Sequence, residues 1–456
     1  MGKQLIQEAH IVLPDRVIKG DIRIENGRIA EIADYILEEK SWEINHCKGK
    51  YLLPGFIDIH THGAYGFDFA LGVYNAENDT FSHEAYEEGL NKALKHYVSC
   101  GATRIYPTTF AAPLGVLEQA FKHLSTCIED THFPYEELVG GINLEGTFLK
   151  LPAFAGAQNP NFFYPASLAT FEQLDWASGG RLCIVNIPPD HGPTGLHMTR
   201  FLSQKGIVVA GGHTGAMAKE FGMAVDAGLN LAVHFLNGPS QHSEKSFFNG
   251  GAEEEILRRD EVFLELIVDG YHVHPSYVRD VIARKGYERV ILITDSMFAR
   301  DCTDIKHFSL EGIYGEVGEN REYLRVLGKA DTLFGSVLRS DKGFENVLNW
   351  LTQDMIGIWY REHKALNLPE ALVYTSQMAS GNPARLLGIY ENENHSGTGT
   401  GSIEVGKWAD LVLVEVQEPS SEISLAKERS NELGLPSNSF QVRVEDVWLR
   451  GNKKTP

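Results

Sequence analysis

The chain is poor in cysteine: Cys47, Cys100, Cys127, Cys183 and Cys302 are the five in 456 residues, scattered and without a CxxC pair. That excludes a disulfide framework as a source of stability and suits a reducing compartment. Positive charge is also scarce, with 41 Lys and Arg against 61 Asp and Glu, a net charge of −20. Such a surface argues against nucleic acid or an anionic membrane as partner, while leaving room for a local basic pocket holding one small anion. No run approaches the ~18 apolar residues of a membrane span. The opening residues, MGKQLIQEAH, lack an apolar stretch of signal-peptide length, and Ile6 stands where a myristoylation motif beginning at Gly2 wants Ser or Thr. A cytoplasmic protein is expected.

What is present is a globular composition, 43% hydrophobic, in a chain long enough for one large domain and a smaller one. Residues 1–54 read as short strands with a hairpin signal at Asn26-Gly27. Residues 401–415 and 442–452 are again strand-like, so a small β-sandwich domain is expected from 1–54 plus 401–456. The polar, Ser-rich stretch 417–440 reads as an exposed insertion. Between the two ends the pattern becomes α/β. Apolar strand candidates fall at 56–62, 102–107, 138–144, 181–187, 206–212, 229–234, 262–268 and 289–294. Helical stretches follow most of them, among them 83–100, 115–128, 215–227 and 275–285. Eight such units predict a closed (β/α)8 TIM-type barrel over 55–400, with an excursion at 303–328 before a helix at 338–351. An open doubly wound sheet is the alternative, weakened because no Gly-rich phosphate motif follows the first strand.

In such a barrel, chemistry sits at the carboxyl ends of the strands. The first strand ends in His60-Thr61-His62. By simple alternation Phe56, Asp58, His60 and His62 share one face, and Ile57, Ile59 and Thr61 the other. Glu145 follows the third strand, His213 the fifth, His234 the sixth, His272 the seventh and Asp295 the eighth. Singly, each has a bland explanation: a surface acid, a helix-entry turn, a core histidine. Together they form a set of imidazoles and carboxylates without thiolates. That donor set suits zinc or iron, with manganese or cobalt as alternatives, and has enough ligands for one or two divalent metals.

Several segments, in order along nearly the whole chain, carry a resemblance: LLPGFIDIHTHG (52–63), NLEGTFL (143–149), GGHTGA (211–216), HFLNG (234–238), VDGYHVHP (268–275), ITDSM (293–297), LFGS (333–336), NPARLLG (382–388) and GSIEVGKWADLVLVE (401–415). The chain resembles the amidohydrolase superfamily and, within it, the N-acetylglucosamine-6-phosphate deacetylase family. The resemblance implies a metal-dependent hydrolase that releases acetate from an amino-sugar phosphate, and a homodimer. It implies Glu145, His213 and His234 as the principal metal ligands and His60 and His62 as a second metal position. It implies Asp295 as both the catalytic acid/base and a further metal ligand, and His272 as a catalytic residue binding substrate near the scissile amide. Asn237, Gly238, Ala157, Gln158, Leu333, Phe334 and Gly335 would line the sugar pocket, with Lys245 binding the substrate's phosphate. The chain departs from the family pattern at Thr147 (usually Pro), at Ala157-Gln158 (usually a turn ending in His that touches the sugar), at Ser296 (usually Ala) and at Lys245. An arginine gripping the sugar phosphate is usual at the last position. Lysine binds phosphate as a point charge and loses the bidentate fork.

Overall fold

A computed structural model describes residues 2–130, 132–238, 250–358, 362–391, 398–418 and 439–454. Eight parallel strands run in sequence order around one sheet: Phe56–Thr61, Ala102–Thr109, Ile142–Leu144, Leu182–Asn186, Val208–Gly211, Leu229–Ala232, Phe263–Ile267 and Val290–Ile293. The last meets the first just beyond its own end, where the Asp295 N–H donates to His60 O at 2.8 Å and the His62 and Gly63 N–H groups donate to Ser296 O. All eight expected strands are there. The third is shorter than its apolar run: Leu138 ends a 3-10 turn, Glu136–Leu138, and the strand itself is Ile142–Leu144.

The inward-facing layer contains Ile57, Ile59, Tyr106, Ile184, Leu231 and Ile293, and it packs against Ala384 and Leu386. The short helix Asn382–Leu386 thus closes the end of the barrel opposite the site. Outside, helices bury apolar stripes at helical spacing. In Tyr86–Ser99 the buried set includes Tyr86, Leu90, Ala93, Leu94, Tyr97 and Val98. The helix Pro275–Lys285 starts on a proline, with His274 Nδ1 accepting from the Ser276 N–H at 3.2 Å.

The face assignment of the first strand is corrected. Ile57 and Ile59 join the inner layer. Asp58 instead lies with Phe56, Val268, Leu292 and Leu338 around a small cavity and accepts from Thr294 Oγ1 at 2.6 Å. The reason is a bulge. Asp58 pairs with Ile105 and Thr61 with Pro107, so three steps on one strand oppose two on its neighbour, and strict alternation fails between Asp58 and His60.

The chain ends meet in a second sheet of eight strands, in which Leu411–Gln417 pairs with Tyr51–Pro54 and Gln441–Leu449. The sheet curls over: Gly27, in the turn after Val17–Glu25, lies against Arg450 and Gly451 at its far end. Ile6, Ile11, Ile24, Leu52, Leu411 and Trp448 fill the enclosed core. The excursion after the eighth barrel strand is a three-stranded antiparallel sheet of His307–Leu310, Ile313–Val317 and Leu324–Val326. The predicted insertion falls mostly in 419–438, outside the described residues.

Candidate active site

At the carboxyl end of the barrel a cavity of about 590 Å³ has His62, Glu145, His213, His234, His272 and Asp295 in its lining. Glu145 sits at the centre. Its Oε1 is 3.1 Å from His213 Nε2, 3.0 Å from His234 Nε2 and 3.6 Å from His60 Nε2. Asp295 Oδ1 lies 3.0 Å from His62 Nε2 and 3.6 Å from His60 Nε2. Two ligand groups result, Glu145–His213–His234 and His60–His62–Glu145, all buried.

Backbone geometry aims these side chains. His213, His234 and Asp295 all have left-handed backbones, with φ of 51°, 24° and 49°. Such conformations cost about 1–3 kcal/mol each in non-glycine residues and persist where the surroundings over-determine them. Here Asn186 at the end of the fourth strand accepts from the Gly212 N–H at 3.0 Å. Asp190 takes the Gly215 N–H at 3.1 Å and the Thr214 hydroxyl. Gly146 leaves Glu145 the space it needs: a Cβ there would stand 2.0 Å from Ala111 N.

The donor arrangement fits a cation. His213 Nδ1 faces the Phe154 carbonyl at 2.9 Å, and a carbonyl only accepts, so the neutral ring presents a bare Nε2 to the Glu145 carboxylate. Two lone pairs then face each other unless a proton or metal ion stands between them. His60 repeats the pattern. Its Nδ1 is 3.0 Å from Glu265, while Nε2 is buried without a hydrogen-bond partner. Burial lowers the His60 imidazole, but Glu265, Glu145 and Asp295 override it and raise it to about 10, so between these carboxylates Nε2 holds a proton unless a metal ion takes that proton's place. Against burial, His60, His213 and His234 hold Glu145 well below the carboxylate range, and His62 with His60 lowers Asp295. Clustered carboxylates and bare imidazole nitrogens call for positive charge, and these residues could hold a divalent metal.

The remaining expected residues divide. Ala157, Gln158, Asn237, Leu333, Phe334 and Gly335 line the cavity. Gln158 has both ends engaged, its amide donating to Glu145 Oε2 at 2.8 Å and its oxygen accepting from the Ala111 N–H at 2.5 Å. It orients the central carboxylate. Gly238 does not line the cavity; it packs under the His234 ring, where a Cβ would come within 2.9 Å of Nδ1. Lys245 lies outside the described residues. His272 is held by Asp269, whose carboxylate takes the His272 N–H at 2.8 Å and Nδ1 at 2.7 Å. Burial lowers this imidazole, but Asp269 more than offsets it and the pKa is raised. Asp269, Asn186 and Glu265 were not singled out from the sequence. Glu265 left a signal there, the lone charge in the strand Phe263–Ile267.

The sequence profile of the amidohydrolase family matches residues 210–452, more than half of the chain. The chain belongs to the amidohydrolase family. This amidohydrolase is 30% identical to the N-acetylglucosamine-6-phosphate deacetylase of Bacillus subtilis over 421 residues, covering 90% of this chain and 92% of that one. It is 28% identical over 398 residues to the N-acetylgalactosamine-6-phosphate deacetylase of Escherichia coli O157:H7, covering 86% and 90%. In fold it matches the crystal structure of N-acetyl-D-glucosamine-6-phosphate deacetylase from Mycobacterium smegmatis with a TM-score of 0.77, at 22% identity and over 99% of both chains. The chain is therefore an enzyme, a deacetylase-like amidohydrolase. Among the described residues no helix is long and apolar enough to cross a membrane.

Proposed function

We propose that this amidohydrolase removes the acetyl group from an N-acetylhexosamine 6-phosphate, with N-acetylglucosamine 6-phosphate as the first candidate. The products are acetate and the amino-sugar phosphate. One observation carries the proposal: five buried imidazole and carboxylate groups and Asp295 converge at one end of the barrel, all but His60 lining one cavity. They do so in a chain with 30% identity, over 90% of its length, to a curated deacetylase.

Glu145, His213 and His234 would hold the principal divalent metal, zinc or iron before manganese or cobalt, with His60 and His62 as a second position. When bound, it supplies Lewis acidity, bringing the pKa of water from ~16 to ~7. Asp295, kept ionised by its neighbours, accepts a proton from the attacking water as the water oxygen bonds to the acetyl carbon. His272, whose protonated form Asp269 favours, donates to the acetyl oxygen as negative charge builds there, a stabilisation of roughly 3–4 kcal/mol for one well-placed donor. Asp295 then passes its proton to the amine nitrogen as the C–N bond breaks. Asn237 and the segment Leu333 to Gly335 bound the space for the sugar ring, and Lys245 supplies a point charge for the phosphate.

The engaged ends of Gln158, together with Lys245 in place of arginine, favour one second reading: hydrolysis of a different N-acyl substrate. Acetate release separates the two. The panel is N-acetylglucosamine 6-phosphate, its galactosamine epimer, the unphosphorylated sugars and N-acyl amino acids, with metal content measured on the same sample. Turnover of the 6-phosphates supports the proposal. Turnover of the other compounds with none of the 6-phosphates refutes it.

A further inference from the structure

Glu265 stands in the middle of the seventh barrel strand, Phe263–Ile267, with four apolar neighbours. It has no solvent exposure. A bare carboxylate there is costly unless its partners are well made. Its two partners both belong to ligand residues, one from each group. Oε2 takes His60 Nδ1–H at 3.0 Å and the backbone N–H of His234 at 2.9 Å. Its own carbonyl accepts from the Phe235 N–H at 2.8 Å, so the residue grips the His234 turn twice. That turn is the one with φ of 24°, a conformation that needs holding. An ionised carboxylate only accepts, so His60 must carry its proton on Nδ1. Nε2 is then the nitrogen left to take a metal ion, and it is the one aimed 3.6 Å from both Glu145 and Asp295 with no hydrogen-bond partner.

The geometry points to Glu265 as the positioning residue that selects the ligating tautomer of His60 and aims His234, so that one buried charge serves both metal positions. It does not line the cavity. The inference rests on the metal-dependent reading above and adds a residue to it. Outer carboxylates that orient a ligating imidazole raise its basicity, and their loss costs roughly 10–100-fold in metal affinity. Glu265→Gln keeps the shape and one acceptor oxygen and removes the charge. Glu265→Asp keeps the charge and withdraws it by one methylene.

The test starts from the metal-loaded protein. Metal loss to a competing chelator is followed for the parent, E265Q and E265D, and thermal midpoints are measured on the metal-stripped proteins. The expected result is metal affinity lower by about 10–100-fold in E265Q, less so in E265D, with the metal-free midpoint of E265Q unchanged. Equal affinity in E265Q and the parent overturns the inference, as does an affinity loss matched by a fall in the metal-free midpoint, which marks a merely structural residue. If E265Q does not fold, E265D decides: parent-like affinity overturns the inference and weakened affinity supports it. A parent chain that binds no metal refutes the metal-dependent reading itself, and this inference with it.

Discussion

Replacing Asp295 with asparagine separates proton transfer from architecture. Asp295 has φ of 49°, a backbone that asparagine tolerates better than alanine does. The closing hydrogen bonds of the barrel at this residue are backbone bonds, Asp295 N–H to His60 O and Ser336 N–H to Asp295 O, each 2.8 Å, so they survive the change. What disappears is an ionised acceptor 3.0 Å from His62. Proton transfer by a placed side chain is worth about 10²–10⁴-fold, or roughly 3–5 kcal/mol of barrier. In the proposed mechanism Asp295 acts twice, on water and on the amine, so the loss in kcat belongs near ~10⁴-fold, with KM little changed. The assay is acetate release under saturating N-acetylglucosamine 6-phosphate, with metal content determined on the same preparation. A D295N protein that retains its metal and turns over within about tenfold of the parent, less than the smallest proton-transfer effect, would remove Asp295 from the chemistry.

Three further outcomes follow from neighbouring residues. The His272 pKa is raised, so its protonated, donating form persists at low pH and is lost as pH rises through that raised value; kcat/KM should fall on the alkaline side, and Asp269→Asn should move that limb to lower pH in a pH–rate profile. Gly146→Ala forces a Cβ to within 2.0 Å of Ala111 N and 2.4 Å of Phe110 C, both backbone, so overpacking of about 1–3 kcal/mol and weaker metal retention should appear in thermal unfolding and metal analysis. Lys245→Ala should raise KM for the 6-phosphate substrate while leaving kcat nearly intact, and an unchanged KM would exclude Lys245 from phosphate binding.

The barrel was legible because its strands are short apolar runs followed by amphipathic helices, and the ends of those runs named His60, His62, Glu145, His213, His234 and Asp295 in advance. The bulge between Asp58 and His60 was not, since it depends on the pairing of Asp58 with Ile105 and Thr61 with Pro107, which a single strand does not encode. Gln158 was read as a sugar contact because its motif position suggested one. Only the fold shows that Glu145 and Ala111 claim both of its ends. Gly238 was placed in the pocket wall by the same reasoning, and its small size instead serves the ring of His234. Glu265 meets a histidine 205 residues away in the chain and Asp269 one three residues on, and neither an acid within an apolar strand nor one before a glycine declares its partner.

The seam where the eighth barrel strand meets the first has a consequence for biosynthesis. Thr61 and Ser296, hydroxyls 2.9 Å apart beside that seam, are separated by 235 residues of chain. His60 and His62 emerge from the ribosome early and wait, unassembled, until Asp295 has followed them. The curled end sheet waits longer, for Leu411–Gln417 to reach Tyr51–Pro54. A nascent chain stalled before the eighth strand would carry all four strand ends that bear His60, Glu145, His213 and His234, yet have no closed ring to hold them together. Tight metal uptake should therefore coincide with the end of synthesis, and capture of the ion would report that the first strand has found the last.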